Sequence, residues 1–99
     1  MTKSEMAAKL NEANAFIPGK RVKLDFGDQG VVLLDGQANT VTEEDAAADT
    51  TIKVAWADWE DMASGKLDGM TAFMQGKLKV EGDMSNAMQL QGVLAKMRG

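Results

Sequence analysis

The side chains that most often carry catalysis are missing from this 99-residue chain. It contains no histidine and no cysteine. That composition excludes a Ser-His-Asp triad, a thiol nucleophile and a metal site built from imidazole or thiolate ligands. The three serines therefore have no histidine to activate them. No metal and no cofactor is expected.

The remaining catalytic patterns are incomplete. Gly76-Lys77-Leu78 resembles the end of a phosphate-binding loop, but no serine or threonine follows the lysine, and no G-x-G-x-x-G motif is present. Asp58 and Asp61 could lie near each other on a helix, where a role at the helix N-terminus explains them as well as acid-base chemistry does. The sequence predicts a protein that is not an enzyme and has no catalytic residue. An enzyme that uses carboxylates alone remains the weakest alternative.

Methionine is the residue type that stands out. The chain has eight methionines, and six of them lie in its second half: Met62, Met70, Met74, Met84, Met88 and Met97. A flexible thioether side chain can reshape itself around different ligands, whereas a rigid core favours Leu, Ile and Val. The pattern alone still favours simple core filling. Trp56 and Trp59 are equally ambiguous, since a large apolar ring can close a core or form the floor of a pocket.

Charge and hydropathy exclude several partners and locations. The net charge of −4 argues against nucleic acid as a partner. Residues 35–61 hold eight acidic side chains against one lysine, which we interpret as a solvated face. Residues 62–99 carry a small excess of basic side chains, consistent with a transient approach to an anionic membrane. The longest aliphatic run, Val31 to Leu34, is too short to cross a bilayer, and residues 1–10 lack the apolar stretch of a secretory signal. A cytoplasmic protein with one domain, residues 1–99, is expected.

Hydrophobic periodicity predicts the elements of the first half. Thr2-Lys3-Ser4-Glu5 fits a capping box, and Met6 and Leu10 follow at helical spacing until Pro18-Gly19. The period then changes to two residues. Four strands are predicted, connected as a meander, at residues 21–26, 31–34, 38–42 and 50–56.

The second half contains shorter helices and one late strand. Asp58 is predicted to cap a helix over 59–63, Asp68 a helix over 69–75, and Asp83 a final helix over 84–97. A fifth strand is predicted at 77–81, where Leu78 and Val80 alternate with charged residues. The predicted fold is α+β, a mainly antiparallel five-stranded sheet covered on one face by short helices.

From residue 48 onward the chain resembles the sterol carrier protein type two (SCP-2) family. The resemblance is carried by Ala48-Asp49, Ser64–Leu67, Ala72–Val80, Gly82–Met84 and Ala87–Gln91, which follow one another in order with few gaps. It covers about half of the chain. The family resemblance implies an apolar tunnel between the sheet and the helices. It also implies that fatty acyl chains, fatty acyl-CoA, phospholipids or sterols bind there without being chemically changed.

The resemblance also assigns candidate ligand-binding residues. It implies that seven side chains face the tunnel: Trp59, Met62, Phe73, Met74, Met84, Met88 and Leu90. Gln91 matches a family glutamine whose amide could bind a ligand's hydroxyl or carboxylate, and the alternative for Gln91 is an ordinary exposed helix position. Trp56 replaces a residue that is usually small and polar, so that it would plug one end of the tunnel or enlarge its floor.

Two functions follow from the resemblance. The first is a lipid carrier, a monomer or weak homodimer, with a lipid or fatty acid as its ligand. The second is an accessory or scaffold domain that binds a protein partner or assists isoprenoid quinone metabolism, as related bacterial domains do. Because a minimal domain of this kind suits a bacterial protein, sterol is not expected as the natural cargo.

Overall fold

The computed structural model describes the backbone of residues 2–98 and the side chains of residues 2–90. Its elements alternate between helices and strands along the chain. In order they are α1 (Lys3–Glu12), β1 (Arg21–Asp25), a 3-10 turn (Gly27–Gln29), β2 (Val31–Asp35), β3 (Thr40–Thr42), β4 (Thr50–Val54), α2 (Trp56–Ala63), α3 (Gly69–Met74), β5 (Leu78–Gly82) and α4 (Met84–Arg98).

The five strands form one sheet in the order β3-β2-β1-β4-β5. Strands β1 and β4 pair in parallel, and every other neighbouring pair is antiparallel. The predicted α+β class and mainly antiparallel sheet are therefore confirmed. The predicted meander is wrong at one point, because the chain crosses from β3 to the far side of β1 before β4 begins.

The crossing segment, residues 43–49, covers the face of the sheet opposite the helices. Lys23 points to that face and its ammonium group binds the Asp45 carboxylate at 2.7 Å. Leu33, the strand partner of Lys23, is only 2% exposed although it points away from the main core. Asp49 closes the segment by accepting a hydrogen bond from the Arg21 backbone N–H at 2.9 Å. Acidic residues of this segment thus hold it against the sheet.

The other face of the sheet carries the core. Leu34, Val22 and Thr50 face the same side because their strands pair in register, and so do Val32, Leu24 and Ile52. This face joins one cluster of buried residues to which all four helices contribute: Met6 and Leu10 from α1, Trp59 and Met62 from α2, Ala72 from α3, and Leu90 from α4. Helices on a single face of the sheet are confirmed.

The helix starts show where local signals decide the structure. Thr2 and Glu5 form the predicted capping box, with each side chain accepting the other's backbone N–H at 3.1 Å. Asp68 caps α3 as predicted, since its carboxylate accepts from the Thr71 N–H. The prediction that Asp58 caps α2 is wrong. The helix begins three residues before the predicted start, at Trp56, and Asp58 lies within its first turn.

A polar cluster anchors the start of α4 to the sheet. The Thr50 hydroxyl donates to the Asp83 carbonyl oxygen at 2.7 Å and accepts from the Asn86 amide at 3.1 Å. Asn86 is 2% exposed. Because buried polar groups must be paired to be tolerated, this cluster fixes α4 at one position on β4.

Candidate functional site

An apolar cavity of about 330 Å³ lies between the sheet and three helices. Its sheet wall comes from β4 and β5, and its other walls come from α2, α3 and α4. The lining residues are Ile52, Trp59, Met62, Gly69, Met70, Phe73, Met74, Leu78, Val80, Met84, Ala87, Met88 and Leu90. Its volume is at the small end of ordinary ligand pockets.

The cavity has a buried floor and an exposed rim. Trp59 and Leu90 are each 1% exposed, and Ile52 is 3% exposed. Around the opening, by contrast, stand large hydrophobic side chains that face solvent for 41% to 83% of their surface. These side chains are called the apolar rim here, and they are Met70, Phe73, Met74, Met84 and Met88. Exposed apolar surface grouped around a cavity is typical of a binding site.

Short elements place the rim residues. Helix α3 has six residues, and on it Met70 stands three and four positions before Phe73 and Met74, so that all three share one face. On β5, Leu78 and Val80 point into the cavity because they alternate with the exposed residues Lys77 and Lys79. The anchored start of α4 supplies the opposite side.

The described part of the lining contains almost no polar group. Among the lining side chains that the structure describes, Trp59 alone carries a nitrogen or oxygen atom. Its indole Nε1 is buried and has no hydrogen-bond partner among the described residues. Its ring packs at a tilt against Phe26, with centroids 5.7 Å apart. None of the described side chains that line the cavity is charged, so its interior suits hydrocarbon.

Seven of the nine predicted binding residues line this cavity: Trp59, Met62, Phe73, Met74, Met84, Met88 and Leu90. Trp56 is not among the lining residues. It lies at the first position of α2 and packs edge-on against Phe26, with ring centroids 5.0 Å apart and planes at 87°. The side chain of Gln91 lies outside the described part of the structure.

Six lining residues were missed by the candidate list: Ile52, Gly69, Met70, Leu78, Val80 and Ala87. A signal was available for two groups of them. Leu78 and Val80 alternate on a predicted strand, and Met70 precedes Phe73 by one helical turn. Nothing in the sequence pattern distinguishes Ile52 on its strand from the core residues beside it.

The polar groups that the structure perturbs lie elsewhere. Hydrogen bonds from the backbone N–H groups of Ala38 and Gln37, together with Arg21, lower the pKa of Asp35. The Ser85 hydroxyl and N–H lower the pKa of Asp83. These carboxylates organise turns and helix starts. Within the described residues, no group of three or more acidic side chains could hold a metal ion.

Among the helices in the part of the chain that the structure describes, none has both the length and the apolar character of a bilayer-spanning helix.

Comparison with known proteins gives relatives by sequence. Residues 2–95 match the SCP-2 sterol transfer family. Sterol carrier protein 2 of Bos taurus is 41% identical over 59 residues, which are 60% of this chain and 11% of that protein. Stomatin-like protein 1 of Mus musculus is 35% identical over 81 residues, covering 78% of this chain and 20% of that protein. The chain therefore spans a small fraction of the length of these relatives.

Solved structures share the fold. Sterol carrier protein 2 of Aedes aegypti, solved in complex with palmitate, superposes with a TM-score of 0.76 at 20% identity, over 92% of each chain. A ubiquinone synthesis protein, UbiJ-SCP2, superposes with a TM-score of 0.71 at 16% identity, over 95% of this chain and 93% of that one. At these identities the likeness establishes the common architecture. Together with the match over residues 2–95, it confirms the resemblance seen in the sequence, and this chain belongs to the SCP-2 sterol transfer family.

Proposed function

We propose that this domain is a non-enzymatic lipid-binding protein that holds a hydrocarbon chain in the apolar cavity. The observation that carries the proposal is the cavity itself, whose floor is buried, whose lining is apolar and whose rim is exposed. Membership of the SCP-2 family and the palmitate complex of the Aedes aegypti protein support the same ligand chemistry. The ligand class covers fatty acyl chains, fatty acyl-CoA, phospholipids and sterol-like molecules.

The size of the cavity sets how a lipid would bind. Since its volume is small, part of a long chain extends outward between the rim side chains. Burial of about 14 methylenes, in the cavity and against the rim, contributes about 11 kcal/mol. An association cost of about 4 kcal/mol, the low end of the usual range of about 4–15 kcal/mol, leaves about 7 kcal/mol, which corresponds to micromolar binding. Such a ligand is also released readily. Flexible methionines suit a rim that contacts chains of different shape.

Filling the cavity tests this function. Ala87 is half-buried and lines the cavity, so Ala87→Phe places a ring in the space that a lipid chain would occupy. We expect a titration with a fluorescent fatty acid to show micromolar binding to the wild type and at least about tenfold weaker binding to the variant. Ala57→Phe is the matched control, because Ala57 is an exposed helical alanine outside the cavity.

Two results would contradict the proposal. One is the absence of binding by the folded wild type at micromolar concentrations. The other is equal binding by Ala87→Phe and the control. Thermal unfolding of both variants, compared with the wild type, establishes that a loss of binding reflects the filled cavity and not a loss of the fold.

The apolar rim also supports the second candidate, an accessory domain that binds a partner. Large exposed hydrophobic residues are what a protein interface would cover. The fatty acid titration separates the two candidates, since a partner-binding domain would keep its partner but leave the fatty acid free in solution. A cytoplasmic monomer or weak homodimer, built as one domain and touching membranes transiently, completes the proposal for the carrier.

A further inference from the structure

Strand β5 forms one edge of the sheet. It has a single neighbour in the sheet, β4, so half of its backbone N–H and C=O groups point away from the other strands. The opposite edge, β3, is three residues long, and there the Val41 N–H donates to the Asn11 side chain of α1 at 3.2 Å. Among residues 2–90, no side chain makes such a bond to the backbone of β5. Helix α1 thus covers one edge, and the other presents five residues that a further strand could join.

The charges along β5 are complementary to a second copy of the same strand. Lys79 and Glu81 flank Val80 and lie on the sheet face away from the cavity. In an antiparallel pair of β5 strands centred on Val80, Lys79 of each copy lies directly opposite the partner's Glu81. The same register sets Val80 opposite the partner's Val80. Each contact occurs twice where it is not on the axis, as twofold symmetry requires.

Other registers bring like charges together. Centring the pair on Lys79, or on Glu81, sets that residue opposite its own copy, and centring it on Leu78 sets Lys77 opposite Lys79. Like charges directly opposite each other destabilise a strand pair. Charged side chains on an edge strand commonly prevent any pairing. Here their order disfavours the neighbouring registers and leaves the one centred on Val80.

Within one chain, Lys79 stands beside another lysine. The register of β4 and β5 sets it directly opposite Lys53. Lys53 is bound by the Glu81 carboxylate at 3.2 Å, whereas none of the described side chains forms an ion pair with Lys79, which is exposed. The partner's Glu81 would supply the acidic group that Lys79 lacks.

We propose that two copies of this domain pair antiparallel through β5, centred on Val80, so that their sheets join into one about a twofold axis. Directly opposite residues point to the same face of a sheet. Because Leu78 and Val80 line the cavity, the two cavities lie on the same face of the joined sheet and are adjacent at the axis. There the partner's Val80 extends the apolar wall of each cavity. This assembly goes beyond the proposed function, since the pairing of β5 requires no lipid.

Charge reversal tests the interface and its register. Lys79→Glu and Glu81→Lys each set like charges opposite each other at two symmetric positions, so each variant alone should dimerise at least about tenfold more weakly than the wild type. An equimolar mixture of the two variants should regain the wild-type affinity, because opposite charges then face each other at both positions. Sedimentation equilibrium of the full chain without lipid, up to about 1 mM, measures these dissociation constants.

Lys66→Glu is the matched control. Lys66 is exposed and lies outside β5, and its substitution changes the net charge as Lys79→Glu does. It should dimerise like the wild type. Lys79 and Glu81 are exposed as well, and thermal unfolding establishes that their variants keep the fold.

Three results of this experiment would overturn the proposal. The first is a wild type that keeps the mass of a single chain up to about 1 mM. The second is equal dimerisation by the wild type and the charge-reversal variants. The third is a mixture of the two variants that dimerises no better than either variant alone.

A disulfide tests the register independently. The chain has no cysteine, so one introduced thiol can react only with its own copy. Val80→Cys meets the partner's equivalent position on the axis, and under mild oxidation it should form a linked dimer faster than Lys79→Cys. Chance collisions predict the opposite order, because Val80 is half-buried and Lys79 is exposed. Equal rates, or faster linkage by Lys79→Cys, would show that the strands do not pair in this register, and the charge-reversal measurement decides the matter if Val80→Cys fails to fold.

Discussion

The two sides of the sheet both carry apolar side chains, but they bury them to different extents. On the side of β2 and the central strand β1, below called the closed half, five side chains are 0% exposed: Leu10, Val22, Leu24, Val32 and Leu34. At the β5 end, below called the open half, the rim residues remain exposed, with Met74 at 83%. One half buries these side chains completely, and the other surrounds a cavity. A single core can thus bury its side chains fully on one side and leave a cavity on the other.

The covering helices explain the difference. Helix α1 has ten residues and a complete capping box, and it places Met6 and Leu10 in the core. Helix α3 has six residues, fewer than two turns, and buries only Ala72. Because so short a helix cannot cover the end of the sheet, the space beside β5 stays open. Long unbranched side chains then line that space instead of filling it.

The largest expected effect comes from truncating one residue in each half. Leu24→Ala removes a fully buried side chain from the closed half and should lower the free energy of unfolding by about 2–5 kcal/mol. Met74→Ala removes a mostly exposed side chain from the rim and should change it by less than about 0.5 kcal/mol. Urea unfolding measures both changes, provided that the m-value, the slope of the unfolding free energy against urea concentration, is the same as in the wild type. Equal losses at the two positions would contradict the contrast between the halves.

A smaller effect on the free energy of unfolding is expected from substituting Gly36, where a side chain cannot be accommodated. A Cβ at Gly36 would overlap the carbonyl oxygen of Ile17 and come within 2.7 Å of the Lys20 carbonyl oxygen. Since backbone atoms must move, Gly36→Ala should cost about 1–3 kcal/mol of unfolding free energy. In α4, a Cβ at Gly92 meets nothing within 4 Å, so Gly92→Ala should be neutral or stabilising by up to about 1 kcal/mol.

Thermal or urea unfolding of these two variants decides the matter. If Gly36→Ala proved as stable as Gly92→Ala, the close backbone approach between the segments around Ile17 and Gly36 would be wrong.

The smallest expected effect is on the pH dependence of stability. Backbone hydrogen bonds from Ala38 and Gln37, with the Arg21 charge, hold the pKa of Asp35 below its ordinary value of 3.8. Around pH 4 the unfolded chain therefore binds this proton more readily than the folded one. The stabilisation is complete above pH 4 to 5 and is lost as the pH falls through the folded pKa. Asp35→Asn should flatten that part of the stability profile.

Asp28→Asn is the control for this experiment, since Asp28 is exposed in the 3-10 turn. It should keep the wild-type decline in acid. Binding of a neutral lipid should not change with pH in the range where the protein stays folded, because none of the described side chains that line the cavity is titratable. A wild-type acid profile in Asp35→Asn would contradict the contribution assigned to this carboxylate.

The sequence predicted local structure well where a local interaction decides it. The capping box of α1, the Asp68 cap and the alternation on β1 and β5 depend on residues close together in the chain, and all were predictable. The crossover to β4 was not. The sequence of an apolar strand does not show whether its neighbour in the sheet runs parallel or antiparallel to it. The polar connection 43–49 was equally compatible with a turn between adjacent strands. The N-terminus of α2 was missed because Ala55 gives no side-chain cap.

The candidate site could be located by family resemblance but only partly by pattern. Helical spacing places Met70 on one face with Phe73 and Met74, yet it does not show whether these side chains fill space or enclose it. The two tryptophans show the limit most clearly. Trp56 and Trp59 lie one helical turn apart and both contact Phe26, but only Trp59 lines the cavity. That distinction depends on where α3 and α4 lie, which no local signal specifies.

The polar cluster at the start of α4 affects how fast the cavity can adapt to ligands of different shape. The four described cavity residues of α4 lie within its first seven positions, on both sides of the Asn86–Thr50 contact that fixes the helix. That wall is held in place, so cargo of a different shape is accommodated by methionine torsions, which change within picoseconds to nanoseconds at exposed positions. Helix displacements take microseconds or longer. The apolar rim can thus adapt to a new ligand far faster than the backbone could rearrange.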